Sequence, residues 1–125
     1  MKKQILLVLF LISFFTSFSQ TFVEKYTTSI SKKEGVFGEW KNTNVTVVFN
    51  EKETGDIVFY YDIGTSKRFY QIGDVSKDIT ISKETYQIIM AIDSEDGTKV
   101  AIQLFDNNTT LRVLIAEGYF VEFHK

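Results

Sequence analysis

The 125-residue sequence contains no cysteine, no proline and a single histidine. Without cysteine the chain cannot form a disulfide, so packing alone must stabilise its fold, even in an oxidising compartment. The lone His124 lies one residue from the C-terminus, and with no cysteine present neither a Cys–His catalytic pair nor a zinc site of thiolates and imidazoles is expected. We therefore expect a protein that is not an enzyme, without metal or cofactor.

Long hydrophobic runs are also absent, with one exception at the N-terminus. The basic residues Lys2 and Lys3 precede an apolar run over residues 5–15, and small residues follow at Ser17 and Ser19. This order is typical of a secretory signal peptide with its cleavage site. The alternative, a membrane anchor, needs roughly 20 mostly apolar residues, more than this run provides. Because no cysteine follows the run, a lipid anchor at a processed N-terminus is excluded.

The sequence thus predicts a signal peptide at 1–19 and a single mature domain at 20–125, exported to a periplasm or to the extracellular space. Removing Lys2 and Lys3 from the 14 basic residues leaves 12, against 16 acidic residues, so the mature domain has a formal charge of −4. No block of basic residues remains, so we expect no nucleic-acid partner. We also expect no stable membrane insertion after cleavage.

Short segments rich in valine, isoleucine, tyrosine and phenylalanine recur along the mature domain, separated by turn residues. This composition favours β-strands. Strands are predicted at 44–50, 56–62, 67–72, 78–82, 86–93, 99–105, 110–116 and 118–124, with weaker candidates at 22–30 and 37–41.

The connections between these segments are too short for the crossovers that parallel strands require. The segments are therefore expected to form an all-β, antiparallel up-and-down meander of about eight to ten short strands. Such a sheet tends to curl and close because closure removes exposed edges, so a small barrel is predicted. A two-sheet β-sandwich is the alternative.

Alternation within each strand predicts which residues face the core. One parity is continuously apolar, as in Val45, Val47 and Phe49, and we assign it to the interior. In the segment 86–93 this choice places Tyr86, Ile88, Met90 and Ile92 inside. The opposite parity is mixed, and we interpret its apolar members as an outer interaction face: Val48, Ile89, Leu114 and Phe120.

One local motif resembles a known family. Gly38-Glu39-Trp40, at the start of the meander, is similar to the first-strand Gly-x-Trp motif of the lipocalins and the broader calycins. The resemblance implies an eight-stranded barrel that holds a small apolar ligand, with Trp40 closing one end. In some calycins a basic side chain from the last strand packs on that tryptophan, and Arg112 is the candidate here.

Two loops carry charged residues beside a glycine. The acidic segment 93–97 (DSEDG) lacks the ligand spacing of an EF-hand, so a solvated hairpin tip is preferred to a calcium site. The segment 62–68 (DIGTSKR) lacks the spacing of a phosphate loop and is not followed by a helical pattern, so a hairpin loop is again preferred.

Two functions remain open. The first is a non-catalytic binding domain with a small apolar ligand in the barrel, in contact with aromatic residues: Trp40, Phe59, Tyr61, Tyr86 and Tyr119. The second is a structural or protein-interaction module of the cell envelope, which would bind an envelope protein through the outer interaction face.

Overall fold

A computed structural model describes residues 21–52, 54–116 and 118–125 of the chain. The predicted signal peptide and Gln20 lie outside the described residues. All regular structure in the described part is β-strand, in ten segments close to the predicted ones. The strands are β1 (Phe22–Lys33), β2 (Val36–Phe37), β3 (Lys41–Phe49), β4 (Asp56–Tyr61), β5 (Ser66–Gln71), β6 (Ser76–Ile79), β7 (Thr85–Asp93), β8 (Lys99–Phe105), β9 (Thr110–Ala116) and β10 (Tyr119–His124).

Eight of these strands close into an antiparallel barrel. Their order is β10-β9-β8-β7-β5-β4-β3-β1, and β10 pairs again with β1 to complete the ring. The long β1 makes this possible, because its first part pairs with β3 while residues Thr28 to Lys33 pair with β10. The predicted small barrel is confirmed, and the sandwich alternative is not the fold. Closure leaves the barrel strands paired on both sides, which removes the exposed edges of an open sheet.

The two remaining strands extend this barrel. β2 continues the line of β3 and pairs with the end of β1 across a two-residue turn at Glu34 and Gly35. Both turn residues have positive φ, 53° and 81°, as the primed turns of tight hairpins require. β6 continues the line of β5 along β7, and the Ile72 N–H, in the linker between them, donates to the Met90 carbonyl at 2.8 Å.

In most strands, the residues that fill the barrel interior are those whose parity was predicted to face the core. Val45, Val47, Phe59, Ile102 and Leu111 are all almost completely buried there. Burial of these apolar side chains is the main favourable contribution to folding in a chain without disulfides.

The predicted parity is wrong in β7. Ile89 and Ala91 are fully buried and pair with the interior residues Ile102 and Val100, whereas Met90 is 42% exposed. Both parities of this strand are apolar, so its own sequence does not distinguish them. A shift of one residue in register exchanges the two faces, and the pairing with β8 therefore decides which is buried.

The outer surface also has a packed region on β8, β9 and β10. The Arg112 guanidinium lies 5.2 Å from the Phe105 ring and 4.6 Å from the Phe120 ring, and it donates to Glu122 at 2.7 Å. Phe105 is only 5% exposed although it faces away from the interior. Cation–π contacts and the ion pair thus stabilise a layer of side chains outside the barrel wall.

Candidate functional site

A cavity of about 550 Å³ opens at one end of the barrel, where the β4–β5 and β7–β8 connections lie. Its inner wall consists of apolar side chains from five different strands, and its outer part carries hydroxyl and charged groups. The apolar wall includes Phe59, Phe69, Val100, Val113, Val121 and Phe123. The volume is within the range of small-molecule sites, roughly 300–1,000 Å³.

The opposite end of the barrel is filled by side chains. Phe22, at the start of β1, stacks on Phe49, at the end of β3, with ring centroids 4.3 Å apart. Phe49 and Ile57 beside it are at most 1% exposed. The cavity is therefore a blind pocket with a single apolar base, because the interior beyond it is packed.

Three aromatic rings form that base. Phe59 contacts Phe69 and Phe123, with centroid distances of 5.7 and 5.6 Å. The edge-to-face arrangement with Phe69, at an interplanar angle of 76°, is a favoured geometry for aromatic pairs. These rings form the floor of the pocket, because Phe59 packs against both of the others.

A charged cluster stands at the entrance. Lys67 on β5 and Asp93 on β7 both face the interior, and Lys67 Nζ lies 2.5 Å from Asp93 Oδ2 and 3.5 Å from Glu95 Oε2. The Asp93 side chain is only 7% exposed, whereas that of Lys67 is 34% exposed. Asp93 Oδ1 also accepts a hydrogen bond from the Glu95 backbone N–H at 2.8 Å. Asp93 is thus a nearly buried carboxylate whose cationic side-chain partner, among the described residues, is Lys67.

The surroundings keep these groups in defined protonation states. The hydrogen bond to Asp93, reinforced by the charges of Asp93 and Glu95, raises the pKa of Lys67 above its ordinary value. The Thr98 N–H, which donates to Asp96 Oδ1 at 2.8 Å, lowers the pKa of Asp96. Burial raises the pKa of Tyr61 on the cavity wall. At neutral pH the entrance therefore carries an ammonium and ionised Asp96, beside a neutral phenol.

The predicted ligand-binding residues are only partly brought together. Phe59 and Tyr61 line the cavity. Tyr86 lies on the outer face, where its ring contacts Phe105 at 5.3 Å. Tyr119 pairs with Lys33 near the open end, and the Lys33 ammonium lies 5.8 Å from its ring. Neither Tyr86 nor Tyr119 contributes to the wall of this cavity.

Trp40 does not close the barrel, so that expectation is wrong. It lies outside, 56% exposed, with its ring edge-to-face against His124 at 4.9 Å. Gly38 in the same motif approaches β1 closely: its N–H donates to the Ser31 carbonyl at 2.7 Å, and an added Cβ would lie 3.1 Å from Ser31 Oγ. The motif therefore marks a backbone contact between β1 and the β2–β3 connection, and Arg112 packs on phenylalanines instead of Trp40.

The predicted interaction face is also only partly formed. Leu114 and Phe120 are cross-strand neighbours on the outer surface. Val48 lies on a different part of the wall, paired with Val58, and Ile89 is fully buried inside the barrel, so its assignment to this face is wrong. The cause is the same as for the rest of β7, whose two faces are both apolar.

The sequence did not predict the inward direction of Lys67, from the predicted hairpin loop 62–68, or of Asp93, from the segment predicted as a solvated hairpin tip. Most of the segment 93–97 is indeed an exposed turn, but Asp93 itself is in phase with Ile89 and Ala91 and so faces inward. Correct parity in β7 would have predicted this position.

A second buried carboxylate, Asp56, is part of a different arrangement. It is fully buried at the start of β4, is paired with Arg68 and accepts a hydrogen bond from the Lys52 N–H at 3.0 Å. Arg68 also contacts Glu51 at 3.3 Å. These contacts tie the β3–β4 turn to β5, so we interpret Asp56 as a structural residue.

Within residues 21–52, 54–116 and 118–125, no group of three or more histidine or acidic side chains is placed to hold a metal ion. The same part of the chain contains no helix of sufficient length and hydrophobicity to cross a membrane.

No protein-family model matches this chain, and no curated protein or solved structure shows significant similarity to it.

Proposed function

We propose that this protein is a non-catalytic binding domain that takes a small, largely apolar molecule into the open end of its barrel. The observation that carries the proposal is the blind 550 Å³ cavity with its aromatic base. An apolar guest gains free energy there by leaving water, at about 0.8 kcal/mol for each buried methylene. The guest would enter between the β4–β5 and β7–β8 connections.

The barrel architecture is consistent with the resemblance to lipocalins and calycins, which also hold ligands inside eight-stranded barrels. The position of Trp40 does not fit that resemblance, because its ring lies outside the barrel. The proposal therefore depends on the cavity and not on the motif. Phe59 and Tyr61 are the predicted ligand contacts that remain in it.

Binding of a hydrophobic fluorescent dye to the native protein tests the proposal. We expect saturable fluorescence enhancement, and we expect the variant Val121→Phe to weaken dye binding about tenfold, because the larger ring occupies part of the cavity. Val23→Phe is the matched control: it makes the same change at a half-exposed position on the outer face of β1. No enhancement with the wild type, or equal effects of the two variants, would refute cavity binding.

A second candidate function is a protein-interaction module, favoured by the exposed apolar residues near Phe120. Val36, Phe37 and Trp40 are 70%, 55% and 56% exposed, and the Phe37 ring contacts that of Phe120 at 6.2 Å. Site-specific photo-crosslinking from position 40 in the cells of origin tests this, with Lys52 as the control position. A discrete protein adduct from position 40 alone would support it.

We also propose that the domain acts after export, in a periplasm or outside the cell, as the N-terminal segment 1–19 indicates. Intact-mass measurement of the exported protein should give a chain that begins at Gln20. A mass that retains Met1 would contradict cleavage.

A further inference from the structure

The side chains that line the entrance of the cavity carry a net negative charge. Among the described residues, its charged lining side chains are one positive, Lys67, and three negative, Asp93, Glu95 and Asp96, which sum to a formal charge of −2. Lys67 is shared between Asp93 and Glu95, at 2.5 and 3.5 Å. The cation of this lining is thus already engaged by two carboxylates.

An anionic headgroup is expected to bind weakly at this entrance. To bind a carboxylate, Lys67 would have to leave Asp93, whose side chain is 7% exposed. A nearly buried carboxylate without its partner is strongly destabilising, so breaking the Lys67–Asp93 pair costs as much free energy as the new ion pair contributes. An anion that bound without displacing the lysine would instead lie beside like charges.

A cationic headgroup is expected to bind favourably at the same entrance. Glu95 is 70% exposed at its side chain and shares Lys67 with Asp93, and Asp96 is held ionised by the Thr98 N–H. Both carboxylates can accept hydrogen bonds from an ammonium group while the Lys67–Asp93 pair stays intact. The apolar tail of the same molecule would extend past Tyr61 toward the Phe59 ring.

From this geometry, and resting on the proposed binding function, we propose that the cavity selects cationic amphiphiles, molecules with an apolar tail and an ammonium head, over fatty-acid-like anions. The cavity wall provides affinity for the tail, and Glu95 and Asp96 provide the preference for positive charge.

Three ligands of equal chain length test the proposal: octylamine, 1-octanol and octanoate, each titrated by calorimetry at pH 7.5, at low salt and below micelle formation. We expect octylamine to bind at least about tenfold more tightly than octanoate. The electrostatic energies of an ammonium and a carboxylate at this entrance should differ by more than the free energy that corresponds to a tenfold change in affinity. Octanol should lie between them. The difference should shrink as salt is added, because the outer carboxylates are exposed.

The neutral alcohol separates the two proposals. If octanol binds but octanoate equals or exceeds octylamine, the charge selection is refuted while the apolar cavity function stands. If none of the three binds, the cavity function itself is refuted.

A double variant, Glu95→Gln with Asp96→Asn, tests the residues assigned to charge selection. It removes two negative charges at the entrance and leaves the Lys67–Asp93 pair in place, and the new asparagine side chain retains an oxygen for the Thr98 N–H. We expect the octylamine-to-octanoate ratio to fall to near one, with octanol binding unchanged.

The matched control is Asp78→Asn with Glu84→Gln, which removes the same charge from the β6–β7 hairpin, at the other end of β7. This control should keep the wild-type ratio. A ratio that is unchanged in the entrance variant, or equally lowered in both variants, would overturn the assignment to Glu95 and Asp96.

Discussion

The Lys67–Asp93 pair allows a quantitative test of how the entrance is built. In the variant Lys67→Met, Asp93 loses its only side-chain cation partner among the described residues while remaining nearly buried. Breaking a fully buried pair in this way costs about 3–5 kcal/mol. Lys67 is one-third exposed, so water screens part of the interaction, and we expect a loss of about 1–3 kcal/mol.

The reverse change should cost less. In Asp93→Asn the lysine can turn to Glu95 and to water, and the asparagine oxygen can still accept the hydrogen bond from the Glu95 N–H. We expect about 0.5–1.5 kcal/mol for this variant, in the range of a lost hydrogen bond. The double variant should cost less than the sum of the single ones, by about 1 kcal/mol.

Urea unfolding at pH 7, followed by circular dichroism, measures all three variants. Lys99→Met serves as the control, because it makes the same substitution at an exposed lysine at the start of β8, near the same end of the barrel. It should change the free energy of unfolding by no more than about 0.5 kcal/mol. If Lys67→Met is no more destabilising than Asp93→Asn, or if the two effects add, Asp93 does not depend on Lys67. An anionic ligand could then bind Lys67 without leaving Asp93 destabilised, which would also contradict the expected weak binding of anions.

Three further predictions concern the barrel wall. Because Trp40 is 56% exposed, its fluorescence in the native protein should resemble that of indole in water, and Trp40→Ala should cost about 1 kcal/mol or less; a strongly blue-shifted emission would contradict its outer position. Phe59→Ala should cost about 3–5 kcal/mol in urea unfolding, because a 1%-exposed ring is removed from an aromatic cluster; a loss below 1 kcal/mol would contradict tight packing. Burial raises the pKa of Tyr26 above 10.0, so the folded state holds this proton more strongly than the unfolded state, and the resulting stability is lost as pH rises above 10. Tyr26→Phe should reduce that alkaline loss, and an unchanged pH profile would refute the contribution of Tyr26.

The prediction of the fold succeeded where the local pattern was unambiguous. In β3, the inward parity Val45, Val47 and Phe49 is wholly apolar and the other parity carries Asn44 and Thr46, so the inner face can be read from the residues alone. Short connections left an antiparallel meander as the only topology, and the tendency of such a sheet to close favoured the barrel. The fold class and nearly all strand positions were therefore properties of the sequence itself.

The position of Trp40 and the inner face of β7 depended on tertiary structure. Trp40 follows a motif that resembles a barrel plug, but its place is decided by how the β2–β3 connection crosses β1, which is a contact between distant parts of the chain. In β7 both faces are apolar, and only the pairing of Ile89 with Ile102 selects one.

The same register decided the chemistry of the cavity. With Ile89 and Ala91 inside, Asp93 also faces inward and meets Lys67 from a strand that is more than twenty residues earlier in the sequence. The sequence determined that a small barrel would form and that charged residues would follow its strands. Only the closed sheet, which places side chains from separate strands around one opening, decided which of those charges stand at the entrance.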